Sequence, residues 1–261
     1  MSDTLAISYD GPVAEITLTR PDVLNRFDAA LHTDFIEALH EVGDRRDVRS
    51  IVLASTGKVF SAGGDFELMQ ALHDDPRYRL AQIDEGRRLL NGLLDLSIPI
   101  VTALHGDAIG LGATIVLATD AVVAARTAGL SDPHVAIGLV AGDGGCVVWP
   151  ASAGMLRAKR HLLTGDKLTA EDAFALGLVT DLVDTADEVL PAARALAGRI
   201  AALPPMAVQG TKRALNRSLQ QRAGEVLDLS FALEGASMAS DDLVEAIAAF
   251  KEKRRPNYQG T

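Results

Sequence analysis

The sequence predicts an α/β fold that ends in a helical region, and three observations lead to this prediction. Short apolar segments bounded by turn residues alternate with longer amphipathic segments over roughly the first 190 of the 261 residues, a pattern typical of strands connected by helices. The rest of the chain has helical character throughout. Hydrophobic residues make up 48% of the chain, which is enough to bury a sizeable core at this length.

The first elements are two strands and a helix. Residues 4–9 and 13–19 are predicted as strands, because apolar residues alternate in the second segment and a turn at 10–12 separates the two. A helix is predicted over residues 29–42, with Asp28 as its N-cap. The apolar stripe of this helix, at helical spacing, consists of Leu31, Phe35, Ala38, Leu39 and Val42.

The central part of the chain continues the alternation. A short buried strand is predicted at 50–54, a helix at 79–96 and a second buried strand at 100–104. A glycine-rich turn at 106–112 then opens an apolar helix that reaches Thr119, and residues 122–125 form the next strand.

After Pro191 the sequence predicts helices almost to the end, with a break at Pro204 and Pro205. No fixed-period repeat and no low-complexity linker separates these helices from the rest. We therefore predict a core domain at residues 1–195 and an appended helical region at residues 196–261.

Composition excludes several classes of function. The net charge of −10 and the aromatic content of 4% argue against nucleic-acid binding, which depends on dense basic contacts and on base stacking. The sequence begins without a secretory signal and contains no apolar run of the ~20 residues that span a bilayer. A cytoplasmic protein without a membrane partner is expected.

Cysteine and histidine usage gives no metal or disulfide signal. The one cysteine, Cys146, excludes a disulfide framework and a multi-cysteine zinc module, and we expect it to be a small buried apolar residue. No two histidines have metal-ligand spacing. We therefore predict neither a metal site nor a separate cofactor.

Two glycine-rich turns, at residues 60–65 and 106–112, are the strongest candidates for a site. Each opens a predicted helix, so their free backbone N–H groups could converge on one developing oxyanion. The alternative is that both are merely tight turns. The second turn lacks the third glycine of a dinucleotide-binding fingerprint, and the chain has neither a phosphate-binding loop nor a nucleophile elbow.

These turns belong to a series of motifs that resembles the crotonase superfamily, also called the enoyl-CoA hydratase/isomerase family. The resemblance covers nearly the whole chain and includes the segment Ser-Ala-Gly-Gly-Asp at residues 61–65. Six motifs occur in the family's order, at residues 19–25, 61–65, 98–106 with 108–112, 138–139 with 142–145, 209–216, and 245–256.

The resemblance implies a spiral of ββα units, a C-terminal helical region used in trimer assembly, and an acyl-CoA thioester as substrate, so that coenzyme A enters only as part of the substrate. A homotrimer or a dimer of trimers is expected. The resemblance places the oxyanion hole at the backbone N–H groups of Ala62 and Leu111. The residues it implies for contact with substrate or coenzyme A are Leu24, Arg26, Gly64, Asp65, Gly110 and Lys253.

The sequence departs from the family pattern where hydratases carry two glutamates, because Thr114 and His134 occupy those positions. His134 is then a candidate general acid or base, and Asp143, in the next glycine turn, is a second one. A hydrogen-bonded structural histidine and a turn aspartate are the alternatives. We expect isomerase, lyase or non-standard hydratase chemistry; a non-catalytic acyl-CoA-binding homologue is the rival hypothesis, and Asp143 is the feature against it.

Overall fold

The computed structural model describes residues 3–261. It has the predicted α/β architecture, with nine strands in two sheets among these residues. The strands are β1 (Leu5–Asp10), β2 (Val13–Leu18), β3 (Ser50–Ser55), β4 (Ile100–Leu104), β5 (Ala108–Ile109), β6 (Ala121–Ala125), β7 (Gly129–Ser131), β8 (Leu168–Thr169) and β9 (Asp181–Val183).

The larger sheet has the order β1-β2-β3-β4-β6-β9. β1 and β2 form an antiparallel hairpin, and every later pairing in this sheet is parallel. The middle strands β3 and β4 are buried almost throughout, because helices cover both faces of a parallel sheet and polar alternation is therefore absent. The register aligns Ile51 with Ile100.

The smaller sheet has the order β5-β7-β8. Two isolated bridges, Phe27 with Gly64 and Ser61 with Ala108, attach the first glycine turn to its surroundings. One of them joins the turn directly to β5, which leads into the second glycine turn. The backbone pairing therefore brings the two predicted turns together.

Ten α-helices surround the sheets within residues 3–261. The Asp28 carboxylate accepts a hydrogen bond from the Leu31 N–H and caps the first helix, as the sequence predicted. The helices are α1 (Ala29–Gly43), α2 (Phe66–Asp74), α3 (Pro76–Asp95), α4 (Leu111–Leu117), α5 (Gly145–Ala153), α6 (Met155–Leu162), α7 (Ala170–Leu176), α8 (Ala186–Ala201), α9 (Pro205–Met238) and α10 (Asp241–Glu252).

The predicted division at residues 195 and 196 falls inside α8. This helix starts at Ala186, ahead of Pro191, because Thr185 and Glu188 form a capping box at its beginning. α8 packs across β3, β4 and β6, and the Ser50 hydroxyl donates a 2.8 Å hydrogen bond to the Ala197 carbonyl. It therefore belongs to the core, and the C-terminal helical region begins with α9.

The C-terminal region consists of the 34-residue α9, the shorter α10 and a tail that turns back. The Asp241 N–H at the start of α10 donates to the Thr261 carbonyl at 2.8 Å, and the Tyr258 hydroxyl donates to the Ala136 carbonyl at 2.5 Å. No helix within residues 3–261 combines the length and apolar content that crossing a bilayer requires.

Candidate active site

Two adjoining pockets lie where the glycine turns meet. The outer pocket has a volume of about 480 Å³ and the inner pocket a volume of about 70 Å³. They share Gly64, Met69 and His134. Leu24, Arg26, Phe66, Gly110, Ile137 and Phe250 line the outer pocket. Mostly apolar side chains line the inner one, together with the polar side chains of His32, Asp65, Gln82, His134, Asp143 and Glu234.

The first glycine turn is held by its own side chains and by the second turn. The Ser61 hydroxyl donates to the Asn25 carbonyl at 2.8 Å and accepts from the Gly63 N–H at 3.1 Å. Gly63 adopts a φ of +82°, and a Cβ atom there would lie 2.4 Å from the Ile109 carbonyl oxygen. Only glycine fits this contact, which fixes the distance between the two turns.

The structure corrects one of the two predicted oxyanion-hole donors. The Ala62 N–H donates to the Leu24 carbonyl at 3.0 Å, so it is not available to a ligand. Two residues further on, the Gly64 N–H has no acceptor among residues 3–261, and Gly64 lines the pocket. The Leu111 N–H is also without one, because the first residue of a helix has no intrahelical acceptor. Gly64 and Leu111 therefore replace the predicted pair.

His134 is oriented by a carboxylate that sequence reasoning missed. Asp132, fully buried just after β7, lies with its Oδ1 atom 2.5 Å from the Nδ1 atom of His134. Pro133 between them begins the turn into a 3₁₀ helix, His134–Ile137. This contact leaves Nε2 of His134 facing the pocket. The spacing Asp-Pro-His was the available signal, since residues two apart across such a turn can pair.

Asp143 faces the other nitrogen of the same imidazole. Its Oδ2 atom lies 3.6 Å from the Nε2 atom of His134. Thr114, on α4, donates to its Oδ1 atom at 3.3 Å. Thr114 thus serves as a hydrogen-bond partner of Asp143, and the structure brings both predicted acid/base candidates together.

Three further polar side chains reach the inner pocket and were not predicted: His32 on α1, Gln82 on α3 and Glu234 on α9. Glu234 is only 4% exposed, and its Oε2 atom has no hydrogen-bond partner among the described residues. A glutamate within the buried stripe Leu227, Phe231, Met238 of α9 was the signal for it. We call Asp132, His134, Asp143 and Glu234 the pocket cluster.

Burial and mutual charge shift the pKa values in this cluster. Burial lowers the pKa of His134, but the charges of Asp132 and Asp143 outweigh it and raise that pKa to about 10. Burial raises the pKa of Asp143 more than His134 lowers it, and burial together with Asp143 raises the pKa of Glu234 well above its usual range. Such shifts place an imidazolium beside carboxyl groups that can accept or hold protons near neutral pH.

His32 behaves differently from His134. Its Nδ1 atom lies 2.9 Å from the Asp28 carbonyl oxygen, which can only accept, so Nδ1 carries the proton. Burial lowers its pKa. His32 therefore lines the inner pocket as a neutral imidazole.

The remaining predicted contact residues are divided between the two pockets. Arg26 lines the outer pocket and forms a 2.9 Å ion pair with Asp65. Asp65 lines the inner pocket and caps α2 through the Glu67 and Leu68 N–H groups. Lys253, at the C-cap of α10, lines neither pocket, so its predicted contact with coenzyme A has no support within this chain. Cys146 is half-buried against the core, as expected of an apolar residue.

The cluster also has the spacing of a cation site, which the sequence did not predict. One ligand atom each from Asp132, His134 and Asp143 lie within 4.8 Å of one another. The Nδ1 atom of His134 is already engaged by Asp132, so a cation would have to use Nε2 with Asp143, the same atoms that face each other for proton transfer.

Comparison with known proteins shows the family to which the chain belongs. A family model described as enoyl-CoA hydratase/isomerase matches residues 9–261. A probable enoyl-CoA hydratase of Rhodobacter capsulatus is 33% identical over 257 residues, which are 98% of each chain. An enoyl-CoA hydratase/isomerase structure from Mycobacterium paratuberculosis has a TM-score of 0.91 and 36% identity, covering 95% of this chain and 98% of that one.

A second similar solved structure is that of a protein with a different activity. It is a β-diketone hydrolase from the cyanobacterium Anabaena sp. PCC 7120, bound to (S)-3-oxocyclohexyl acetic acid. Its TM-score is 0.84 and its identity 28%, and the match covers 91% of this chain and 94% of that one.

Proposed function

Since this chain belongs to the enoyl-CoA hydratase/isomerase family of the crotonase superfamily, we propose that it moves a proton at the α-carbon of an acyl-CoA thioester through an enolate. One observation carries the proposal. Two N–H groups without internal acceptors, on Gly64 and Leu111, lie at the same inner pocket as Asp143 and His134. Oxyanion donors and an acid/base pair are the two parts that enolate chemistry requires.

The steps follow from the positions of these groups. The thioester oxygen accepts hydrogen bonds from the Gly64 and Leu111 N–H groups, each worth about 3–4 kcal/mol when negative charge develops. The Asp143 carboxylate removes the α-proton, and the electron pair of the C–H bond moves to that oxygen. Its raised pKa brings it closer to the working pH of a general base. The proton then returns at another carbon, or a leaving group departs.

This chemistry differs from hydration by two glutamates. Thr114 cannot act as a base, and its hydroxyl is used to hold Asp143. An isomerase or lyase reaction fits one carboxyl and one imidazolium better than hydration does. The rival hypothesis of a non-catalytic acyl-CoA binder leaves the perturbed pKa values of the cluster without a role.

A second candidate function is favoured by the Asp132–His134 contact and by the likeness to a β-diketone hydrolase. In that reaction a water oxygen attacks one carbonyl carbon while its proton passes to Asp143. The bond to the carbon between the two carbonyls breaks, its electron pair forms the enolate of the second carbonyl, and His134 protonates that carbon. The same oxyanion donors hold the enolate.

One assay set separates these functions. Butyryl-CoA in deuterium oxide, followed by proton NMR, reports α-proton exchange. A trans-2-enoyl-CoA, followed by loss of its conjugated absorbance, reports hydration, and 1,3-cyclohexanedione, followed by formation of 5-oxohexanoate, reports carbon–carbon hydrolysis. Exchange without rapid hydration is the expected result. Tight thioester binding with no exchange across a panel of acyl groups would establish the binder instead.

We also propose the family's assembly, a homotrimer or a dimer of trimers. Large apolar side chains on α9 support it, since Leu215, Leu229 and Leu233 are exposed in the single chain and such faces are typically covered by partners. Size-exclusion chromatography with light scattering gives the mass, and a monomer at micromolar concentration would contradict the proposal.

A further inference from the structure

The inner pocket is mostly apolar, but two of the polar side chains that line it carry buried atoms without a partner among the described residues. These atoms are Nε2 of Gln82 and Oε2 of Glu234. Both residues are more than nine-tenths buried. An unpartnered buried polar atom destabilises a protein, so a pair of them at one pocket indicates a ligand that completes their hydrogen bonding.

Gln82 and Glu234 line the inner pocket from two helices that pack closely against each other. α3 and α9 approach closely at two glycines: a Cβ atom at Gly86 would lie 3.3 Å from the Phe231 ring, and one at Gly235 would lie 2.7 Å from Ile83. Gln82 precedes Ile83 on α3, and Glu234 precedes Gly235 on α9. This close packing sets both polar ends against the pocket rather than against solvent.

Glu234 also lies beside the turn that carries Asp143. A Cβ atom at Gly142 would come within 2.8 Å of its Oε2 atom. Burial and the neighbouring Asp143 raise the pKa of Glu234 and so favour its protonated carboxyl group, which can donate a hydrogen bond. The amide nitrogen of Gln82 also donates. Two donors facing one pocket select an acceptor on the ligand.

We propose that the substrate carries a second carbonyl oxygen on its acyl chain, which accepts hydrogen bonds from Gln82 and Glu234 while the first carbonyl occupies the Gly64 and Leu111 N–H groups. This inference rests on the proposed function and narrows its substrate class to oxo-acyl compounds. A site built to hydrogen-bond a substrate group discriminates strongly against analogues without it. A ligand lacking the second carbonyl leaves both donors unpartnered.

The test compares matched ligands by isothermal titration calorimetry in an Asp143→Asn background, which blocks turnover and keeps the Gln82 and Glu234 side chains. Burial, the larger cause of the raised pKa of Glu234, is retained in this background. The probes are 3-oxohexanoyl-CoA and 5-oxohexanoyl-CoA against hexanoyl-CoA. At least one oxo compound is expected to bind roughly tenfold or more tightly than hexanoyl-CoA. Equal affinity for all three would overturn the proposal, and this comparison needs no change at Gln82 or Glu234.

Substitutions then assign the preference to its donors. Gln82→Leu and Glu234→Leu are each expected to bring the affinity ratio close to one, whereas Glu234→Gln, which keeps a donor, retains most of it. Glu225→Gln, at an exposed position of the same helix, is the matched control and should keep the full ratio. A preference that survives both leucine variants would contradict the assignment.

A second pair of ligands, which lack coenzyme A, tests this inference separately from the proposed function. If no CoA thioester binds, the acyl-CoA proposal fails, and 1,3-cyclohexanedione against cyclohexanone then tests the second carbonyl without coenzyme A. Preferential binding of the dione would support the inference alone. Absence of preference in both pairs would refute it.

Discussion

Two buried groups of charged side chains in this protein differ in how many of their polar atoms have hydrogen-bond partners. Lys212 donates to the Ile98 carbonyl at 2.9 Å and to the Asp120 carboxylate at 2.7 Å, and the same carboxylate accepts the Ile100 N–H. We call this group the Lys212 tie. In the pocket cluster, by contrast, Oδ2 of Asp132 and Oε2 of Glu234 have no hydrogen-bond partner within residues 3–261.

This difference indicates that the Lys212 tie stabilises the fold, whereas the pocket cluster is arranged for proton transfer. Burial lowers the pKa of Lys212 while Asp120 opposes that change, and the pair joins α9 to the start of β4. No buried polar atom of either side chain lacks a hydrogen-bond partner among the described residues, so the pair presents no unpaired group to a ligand. The pocket cluster has carboxyl oxygens without partners among the described residues, raised carboxyl pKa values and access to a cavity, which is how a site for proton transfer is organised.

The largest effect is expected for Asp143→Asn. Removal of the proposed base should lower the rate of α-proton exchange by about 10²–10⁴-fold, while the melting temperature stays within a few degrees because asparagine has the same shape. NMR exchange rates and calorimetry measure the two quantities. Asp187→Asn, at an exposed position, is the control. Unchanged exchange in Asp143→Asn would refute the assignment of the base.

Lys212→Met should lower the free energy of unfolding and leave the activity unchanged, the reverse of the effect of Asp143→Asn. Breaking a buried ion pair by removing one partner destabilises by about 3–5 kcal/mol, and we expect the lower end because the Asp120 side chain remains 24% exposed. Chemical denaturation gives the free energy of unfolding. Exchange activity per folded molecule should be retained, and Lys251→Met on the exposed face of α10 should change neither. A selective loss of activity would mean that the tie is part of the site.

Asp132→Asn should change the pH profile more than the fold. In the wild type the imidazolium of His134 is lost as pH rises through about 10, so activity that needs it falls on that alkaline side. Without the charge of Asp132 the pKa of His134 drops, and the alkaline limb should move to lower pH. A pH series of exchange rates tests this. An unmoved limb would show that Asp132 does not set the charge of His134.

Glu234→Gln should have a smaller effect, on stability. A carboxyl group whose pKa is raised by folding contributes most below its unfolded pKa, and that contribution is lost as pH rises through the folded value. The glutamine variant lacks this loss. Its melting temperature relative to wild type should therefore increase between pH 4.5 and 8, and a constant difference would contradict the shift.

The smallest effect is expected from metal removal. Because His134 and Asp143 are assigned to proton transfer, prolonged treatment with EDTA should leave exchange activity unchanged. Loss of activity that Mg²⁺ or Zn²⁺ restores would instead assign the spacing of Asp132, His134 and Asp143 to a cation.

Local pattern was enough to predict much of the fold. The buried strands β3 and β4 and the capped helix α1 follow from side-chain periodicity and one N-cap. The start of α8 was missed because Pro191 was taken as the beginning of the helix. The capping box of Thr185 and Glu188 was present in the sequence and is the better signal.

The site was less predictable because its parts meet only after folding. Which N–H of the first glycine turn is free depends on the Leu24 carbonyl, which reaches Ala62 from another segment. Glu234 joins Asp143 only because α9 packs against the turn at Gly142. Spacing along the chain contains neither fact. His134 could be singled out because the family resemblance places it where hydratases carry a glutamate, and Asp143 because it stands in the next glycine turn.

The position of α8 across β3, β4 and β6 has a consequence for synthesis on the ribosome. The apolar surface of β3 and β4 is made early, yet its cover is translated well over a hundred residues later, as the bond from Ser50 to Ala197 illustrates. A nascent chain therefore exposes the apolar face of β3 and β4 to solvent until α8 has left the ribosome. Such long-range closure slows folding and creates a window for aggregation, so chaperone demand and expression temperature should govern the yield of this protein.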